Sequence, residues 1–391
     1  MIKVIHVLHF SQSIKDKEYK PLMYKNFHHM TALQLKKFSD KYEVECWRPE
    51  RTLTIPKEKF VDCIKHRLFP SSFSLTYGKE ISFHMIESLK NENCPIILHI
   101  HEPHSWHGLL LPLLFSKFPC VGQHHGAIGP LKYLSHKKRA ILALPLLLIE
   151  NIIESFALKK YDMIYSLNLR EADYLKKFVN KAKIRNQTMG VNLRIFDYAN
   201  KSKSRKKIGI QDNEFVFLFV GRLVEGKGVQ YLISAFKEFH KRNIKIRLIV
   251  IGDGPYKEHL QRLNEDYPID MVGWVDHDTE LKYYLAAADC YVHPSKSEGA
   301  SVSIMEAMYM GLPIIATPAG NAGEIIKSGK TGILVRHDNV DDTVEAMREI
   351  YNHPNKHNKE STKTAKELFD WQNIAKRTIN DYDRLVKKYW G

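Results

Sequence analysis

Ser297-Glu298-Gly299-Ala300-Ser301-Val302-Ser303-Ile304-Met305-Glu306-Ala307-Met308 sets two glutamates eight positions apart across a loop that turns into a helix. Val302, Met305 and Met308 recur at helical spacing and predict one buried face. Gly299 to Ser301 stand where that helix begins, and their small side chains let a ligand approach the backbone. A helix start offers unpaired N–H groups and a partial positive charge, which together seat an anion. Glu298 lies just before this seat and Glu306 about two turns beyond it. The pair could flank a bound phosphate and accept hydrogen bonds from sugar hydroxyls at either end. Taken alone, the stretch also reads as a capped surface helix with two solvated glutamates. The surrounding chain decides.

Upstream, an apolar strand over Phe215–Val220 enters Gly221-Arg222-Leu223-Val224-Glu225-Gly226-Lys227-Gly228. Val229, Leu232, Ile233 and Phe236 then repeat as one face of a helix. Glycines beside Arg222 and Lys227 at a strand's carboxyl end predict an anion site, each charge-assisted contact worth roughly 1.5–3 kcal/mol. The GxxxxGK[ST] spacing of the P-loop is missing. A buried strand over residues 244–251 leads to the tight turn Gly252-Asp253-Gly254-Pro255, and the short strand Cys290–His293 delivers the opening stretch. A strand over residues 313–316 runs into Thr317-Pro318-Ala319-Gly320-Asn321-Ala322-Gly323-Glu324, another small-residue loop opening a helix.

The first half alternates apolar runs with helical patterns, as a parallel sheet covered by helices requires. Strands are expected at residues 3–10, 42–47, 95–101, 120–123 and 161–166, and helices at 30–38, 74–89 and 170–178. Two histidine-rich loops then fall beyond strand ends, where open α/β sheets bind ligands. His99, His101, His104 and His107 are not read as a metal set, because alternate strand residues face opposite ways and no HExxH occurs. Asp276-His277-Asp278 and Asp381-Tyr382-Asp383 are read as ordinary surface residues. The polar stretch 200–207 reads as a linker between domains.

The 391 residues suffice for two cores, and 44% hydrophobic with 26% charged content is ordinary for a globular chain. Five scattered cysteines without a CxxC pair suggest neither zinc nor a disulfide framework, and a reducing cytosol is the expected setting. The first residues read as a strand and not as a signal peptide. The longest apolar run, residues 140–149, contains Pro145 and is too short to span a bilayer. Net charge is +15 and uneven: residues 1–200 carry 30 Lys and Arg against 18 Asp and Glu, residues 201–391 carry 29 against 26. That excess points to an acidic partner for the first half, nucleic acid or anionic membrane. The basic cluster Lys132, His136, Lys137, Lys138 and Arg139 directly precedes the apolar run, as in a surface anchor. A buried core helix with a solvated basic end is the competing reading.

Together these motifs resemble the family 4 glycosyltransferases, whose GT-B fold is α/β with two Rossmann-like domains facing each other across a cleft. Gly221-Arg222-Leu223 with Lys227-Gly228 is similar to that family's diphosphate clamp. Glu298 and Glu306 match its E-x7-E motif, continued by Ala307-Met308, Gly311-Leu312-Pro313 and Thr317. Gly252-Asp253-Gly254-Pro255, Gly332 and Leu334 fall in register, the match being strongest over residues 160–350. Leu98-His99-Ile100-His101 and Gln123-His124-His125-Gly126 resemble acceptor-side strands, and Gly190-Val191-Asn192 resembles an NGVD turn with Asn in place of Asp. The family often has glycines just after the first strand, whereas residues 10–25 contain none.

The resemblance implies retaining, metal-independent transfer of a sugar, of hexosyltransferase type, from a nucleotide diphosphate sugar to a glycan, lipid-linked or other hydroxyl acceptor. No cofactor is implied beyond that donor substrate. Arg222 and Lys227 would neutralise the diphosphate, with Gly221 and the amides of Gly299, Ala300, Ser301, Val302 and Ser303 beside it. Glu298 would bind the donor sugar, Glu306 the ribose, and His125 would sit near the reacting carbon; no acceptor-binding residue is assigned. An acceptor-side domain at 1–198, a donor domain at 199–370 and a C-terminal helix at 371–391 packing back toward the first are expected. So is a cytoplasmic enzyme, with peripheral attachment to the inner face of the cell membrane as a further candidate property. A sugar-nucleotide epimerase or phosphorylase on the same fold is the alternative. A basic nucleic-acid-binding protein is a remote one, since the excess charge avoids the motif-rich half.

Overall fold

The computed structural model describes residues 1–8, 27–74, 80–125, 144–197, 199–241, 245–264 and 266–391. The basic cluster at 132–139, residues 140–143 of the apolar run, Gly126 and the glycine-free stretch 10–25 lie outside the described residues. The chain forms two units, Met1–Met189 with Trp371–Gly391, and Gly190–Asp370.

In the first unit the order is β1 (Ile2–Val7), α1 (Phe27–Phe38), β2 (Tyr42–Glu50), β3 (Lys57–Val61), β4 (Ile64–Pro70), β5 (Phe73–Ser74), β6 (Glu80–Ile81) and α2 (Phe83–Lys90). It continues with β7 (Ile96–His101), α3 (Trp106–Leu114), β8 (Cys120–Gln123), α4 (Leu144–Lys160), β9 (Met163–Ser166), α5 (Leu169–Leu175) and β10 (Ile184–Asn186). Among the described residues β10-β9-β8-β7-β1-β2-β4-β3 make one sheet, parallel except for the edge strand β3. Central strands such as β7 are buried along their whole length, as helices on both faces demand. The helix expected over 74–89 begins only at Phe83, where Ser82 accepts the Met85 N–H as cap.

The second unit runs α6 (Lys201–Ile208), β11 (Phe215–Val220), α7 (Val229–His240), β12 (Ile246–Ile251), α8 (Lys257–Asn264), β13 (Ile269–Gly273) and α9 (Leu281–Ala287). There follow β14 (Cys290–His293), α10 (Val302–Tyr309), β15 (Ile314–Ala316), α11 (Ala322–Ile325), β16 (Gly332–Leu334), α12 (Val340–Asn352) and α13 (Ser361–Phe369). Its sheet, β13-β12-β11-β14-β15-β16, is parallel throughout. Val191, Leu193 and Phe196 bury themselves in this unit's core, so the chain changes unit at Gly190 and not near 199. Entry and exit lie side by side: the Val191 N–H donates to the Phe369 carbonyl at 2.8 Å.

The stretch read as a linker is α6. Asn200 caps it through the Lys203 N–H, and Gly209 in the left-handed region (φ 73°) ends it. Buried Arg205 donates to the carbonyls of Ala287, Gln211 and Asp212 and to Asp289, so polar composition here hides an anchored helix. The last helix, α14 (Trp371–Trp390), belongs to the first unit, where it packs on α1. Its Asp381 and Tyr382 are buried, not surface residues: Asp381 accepts the Tyr165 hydroxyl at 3.1 Å, and Tyr382 bonds to His99. Among the described residues no helix is long and apolar enough to cross a membrane.

Candidate active site

Parallel strands bring their carboxyl ends to one edge, and in the second unit the loops after β11, β12, β14 and β15 gather there. Glycine is what lets them touch. A Cβ on Gly252 (φ +135°) would lie 1.9 Å from the Gly221 carbonyl oxygen, and one on Gly228 (φ +71°) 2.2 Å from that of Pro294. The Leu223 N–H donates to Asp253 O at 2.9 Å and the Lys296 N–H to Gly226 O at 2.8 Å. The Gly-Asp-Gly-Pro turn thus acts as a brace for the Gly221–Leu223 backbone.

Glu298 stands on the loop before α10 and Glu306 within it. His293 donates from Nε2 to Glu298 Oε1 at 2.9 Å, with the hydroxyls of Ser301 at 3.0 Å and Ser295 at 3.2 Å beside the same nitrogen. Lys227 forms an ion pair with that carboxylate. Burial alone would raise the Glu298 pKa, but the His293 hydrogen bond and the Lys227 charge outweigh it and hold it down at about 2. Glu298 is therefore a fixed anion. Glu306 is buried, and its Oε1 meets His277 Nε2 at 2.7 Å. Burial pushes the Glu306 carboxyl up, and the hydrogen bond to Glu306 raises His277 to about 9. The Ser301 N–H donates to Asn321 Oδ1 at 3.3 Å, tying the start of α10 to the loop after β15. The first-turn amides that follow have no acceptor within their own helix.

The two cations near the start of α10 differ. Arg222 is exposed and makes no ion pair among the described residues, whereas Lys227 is half-buried and committed to Glu298. Arg222 is thus open to a further contact, while the Lys227 charge is already shared with Glu298.

In the first unit, strand ends carry histidines into a connected polar core. His101 Nδ1 lies 3.0 Å from His125 Nε2, and His101 Nε2 lies 2.9 Å from His6 Nδ1. His99 and His101, two apart on β7, share a face and stack at 4.8 Å between ring centroids; strand alternation does not separate them, contrary to the sequence reading. One ring nitrogen each from buried His6, His99 and His101 falls within 4.8 Å of the others, close enough to hold a metal ion, and among the described residues His6 Nε2 has no hydrogen-bond partner. Beside it, His104 Nδ1 faces Glu154 at 2.7 Å, His124 Nδ1 faces Glu171 at 3.1 Å, and the two Nε2 atoms are 2.7 Å apart. One proton lies between those nitrogens. Burial depresses His104; for His124 the hydrogen bond and charge of Glu171 overcome burial and raise it. Glu102, in the left-handed region (φ 61°), accepts the His125 backbone N–H and is pushed up to about 7 by burial. His125 is held by ring and by backbone.

Residues 200–367 match the model of the family described as glycosyl transferases group 1. An uncharacterized glycosyltransferase of Methanocaldococcus jannaschii is 33% identical over 204 residues, 49% of this chain and 52% of that protein. This chain thus spans about half the length of the curated relatives it matches. Sucrose-phosphate synthase from Thermosynechococcus elongatus superposes with TM-score 0.72 at 20% identity, covering 99% of this chain and 100% of that one. HepE from Anabaena, in complex with UDP, does so with TM-score 0.70 at 16% identity, covering 98% and 100%. The fold is the two-domain α/β GT-B fold.

Within the matched residues the structure assembles Gly221, Arg222, Lys227, Gly299, Ala300, Ser301, Val302, Ser303, Glu298 and Glu306 at one sheet edge. His125 belongs to the other unit and lies outside the matched residues. Sequence reading missed His293, Asn321 and His277. His293 ends a short apolar strand and Asn321 sits in a small-residue loop, positions that carry no chemical signal until the loops meet. His277 was dismissed with its flanking aspartates, although a histidine between two aspartates is where a raised pKa is expected.

Proposed function

We propose that this protein is a retaining glycosyltransferase that moves a sugar, as a hexosyltransferase, from a nucleoside diphosphate sugar to a hydroxyl acceptor without a metal ion. The observation that carries the reading is the pair of glutamates flanking the start of α10, with Arg222 exposed at the end of β11. The bond from the anomeric carbon to the diphosphate oxygen breaks while a bond to the acceptor oxygen forms on the same face. The acceptor's proton passes to the departing phosphate. Negative charge grows on the diphosphate, so fixed cations and helix-end amides give the largest stabilisation. Arg222, Lys227 and the amides of residues 299–303 take that charge, Glu298 orients sugar hydroxyls, Glu306 accepts the ribose hydroxyls and His125 borders the reacting carbon. In this reading the unit Met1–Met189 with Trp371–Gly391 supplies the acceptor side and Gly190–Asp370 the donor side. The acceptor is a glycan or a lipid-linked alcohol, and the enzyme is cytoplasmic and peripheral at the inner membrane face.

Calorimetric titration with UDP, ADP and GDP tests this. One of them binds the wild type, and Arg222→Ala weakens that binding about 30-fold, about 2 kcal/mol for one lost charged contact. Equal affinity in wild type and variant removes the clamp. Sugar-dependent nucleotide release that requires an added alcohol separates transfer from epimerisation, and retention is read from the product's anomeric proton coupling.

A further inference from the structure

Helix α4 turns one face to the sheet and leaves the other open. Ala157, Leu158 and Glu154 are buried, while Ile149, Ile152 and Phe156 are 55%, 57% and 60% exposed. Their spacing of three and then four puts all three on one stripe. Single exposed apolar residues are ordinary; three in a row along a helix are not. Helix α3 packs against α4 and ends on Leu113 and Leu114, which are also exposed. Because α3 leads into β8 and α4 into β9, and those strands are parallel, both helices end at the same sheet edge and the leucines widen the stripe there.

The described charges beside this stripe are basic. Glu154 is buried, and Asp162 is ion-paired with Lys388. Lys117, Lys159 and Lys160 are exposed, with the Lys159 ammonium 5.6 Å from the centroid of the Phe156 ring. An apolar strip edged by lysines fits the headgroup boundary of an anionic bilayer, with rings and branched chains in the acyl region and ammonium groups at the phosphates. A protein partner of the same hydrophobicity would not need the one-sided charge.

We infer that the α3–α4 face docks this protein onto an anionic lipid surface, α4 lying in the interface plane. The inference gives a location to the peripheral reading above and rests on no step of sugar transfer. It is tested by cosedimentation of the full chain with vesicles of phosphatidylcholine mixed with phosphatidylglycerol, and with vesicles of phosphatidylcholine alone. The protein partitions onto the mixed vesicles and is released by high salt, since the screening length falls to about 3 Å near 1 M. Ile152→Ser with Phe156→Ser, and separately Lys159→Gln with Lys160→Gln, each lower partitioning about tenfold. Unchanged melting temperature and UDP affinity in both variants exclude misfolding. Absence of binding to mixed vesicles, equal binding to neutral ones, or partitioning that survives the Ile152 and Phe156 changes overturns the inference. A dimer in sedimentation velocity that the same changes abolish overturns it too, assigning the face to a second copy. If none of UDP, ADP and GDP binds while vesicle binding behaves as stated, the sugar-transfer reading falls and the lipid surface stands.

Discussion

Glu298 and Glu306 carry the same carboxyl group into opposite surroundings. Glu298 faces a lysine and a histidine at a loop, and Glu306 sits in the core side of a helix with one histidine at its exit. Their substitution separates the two. In the proposed reading Glu306→Gln removes an acceptor for ribose and weakens free nucleotide binding about 10-fold, the loss of one charged hydrogen bond. Glu298→Gln frees Lys227 from its ion pair, so nucleotide affinity stays level or rises while turnover of the sugar nucleotide drops. Calorimetry beside steady-state rates reads both. A reversed pattern would turn the donor end for end, and no effect from either would return α10 to an ordinary surface helix.

At the scale of elements, α6 shows how a run of seven polar residues and one apolar one becomes structure. Its lysines stay in solvent while Arg205 turns inward, donating to three carbonyls and to Asp289, which in turn accepts the Val216 N–H at 2.7 Å. The pair ties α6 to the start of β11 and the end of α9, beneath the strand that leads to Arg222. Removing one partner of a buried ion pair strands the other, so Arg205→Ala costs about 3 kcal/mol. Urea unfolding at neutral pH measures it as a shift in midpoint. Lys201, which also reaches Asp289 but is half exposed, serves as control, and Lys201→Ala moves the midpoint little.

For the molecule as a whole, the two glutamate pairs set opposite pH limits. Glu298 is held at about 2 against an ordinary 4.5, so its contribution is complete above pH 4.5 and is lost as pH falls through 2. His277 is raised to about 9 against an ordinary 6.5, so its contribution is complete below pH 6.5 and is lost as pH rises through 9. Melting temperature followed from pH 6.5 to pH 9 therefore falls more in wild type than in Glu306→Gln, whose His277 has lost its carboxylate partner. Parallel curves would show that the pair does not couple to folding.

Sequence alone determined the elements whose signal is local. Apolar runs such as Phe215–Val220 must be buried strands, and Val229, Leu232, Ile233 and Phe236 must face a core, because period and hydrophobicity leave no other low-energy arrangement. The glycine loops at strand ends were equally legible, since positive φ and tight turns favour that residue. Residue type did not disclose what those glycines touch. Gly252 and Gly228 make room for neighbouring loop carbonyls more than 20 residues away in sequence. Tertiary structure also decided that Lys227 spends its charge on Glu298, that His277 guards Glu306, and that Asp381 and Tyr382 are core residues. The reason is common to all of them: hydrogen bonds and ion pairs between side chains depend on which loops the sheet brings to one edge. Strand order in a parallel sheet is a non-local property that no window of sequence contains.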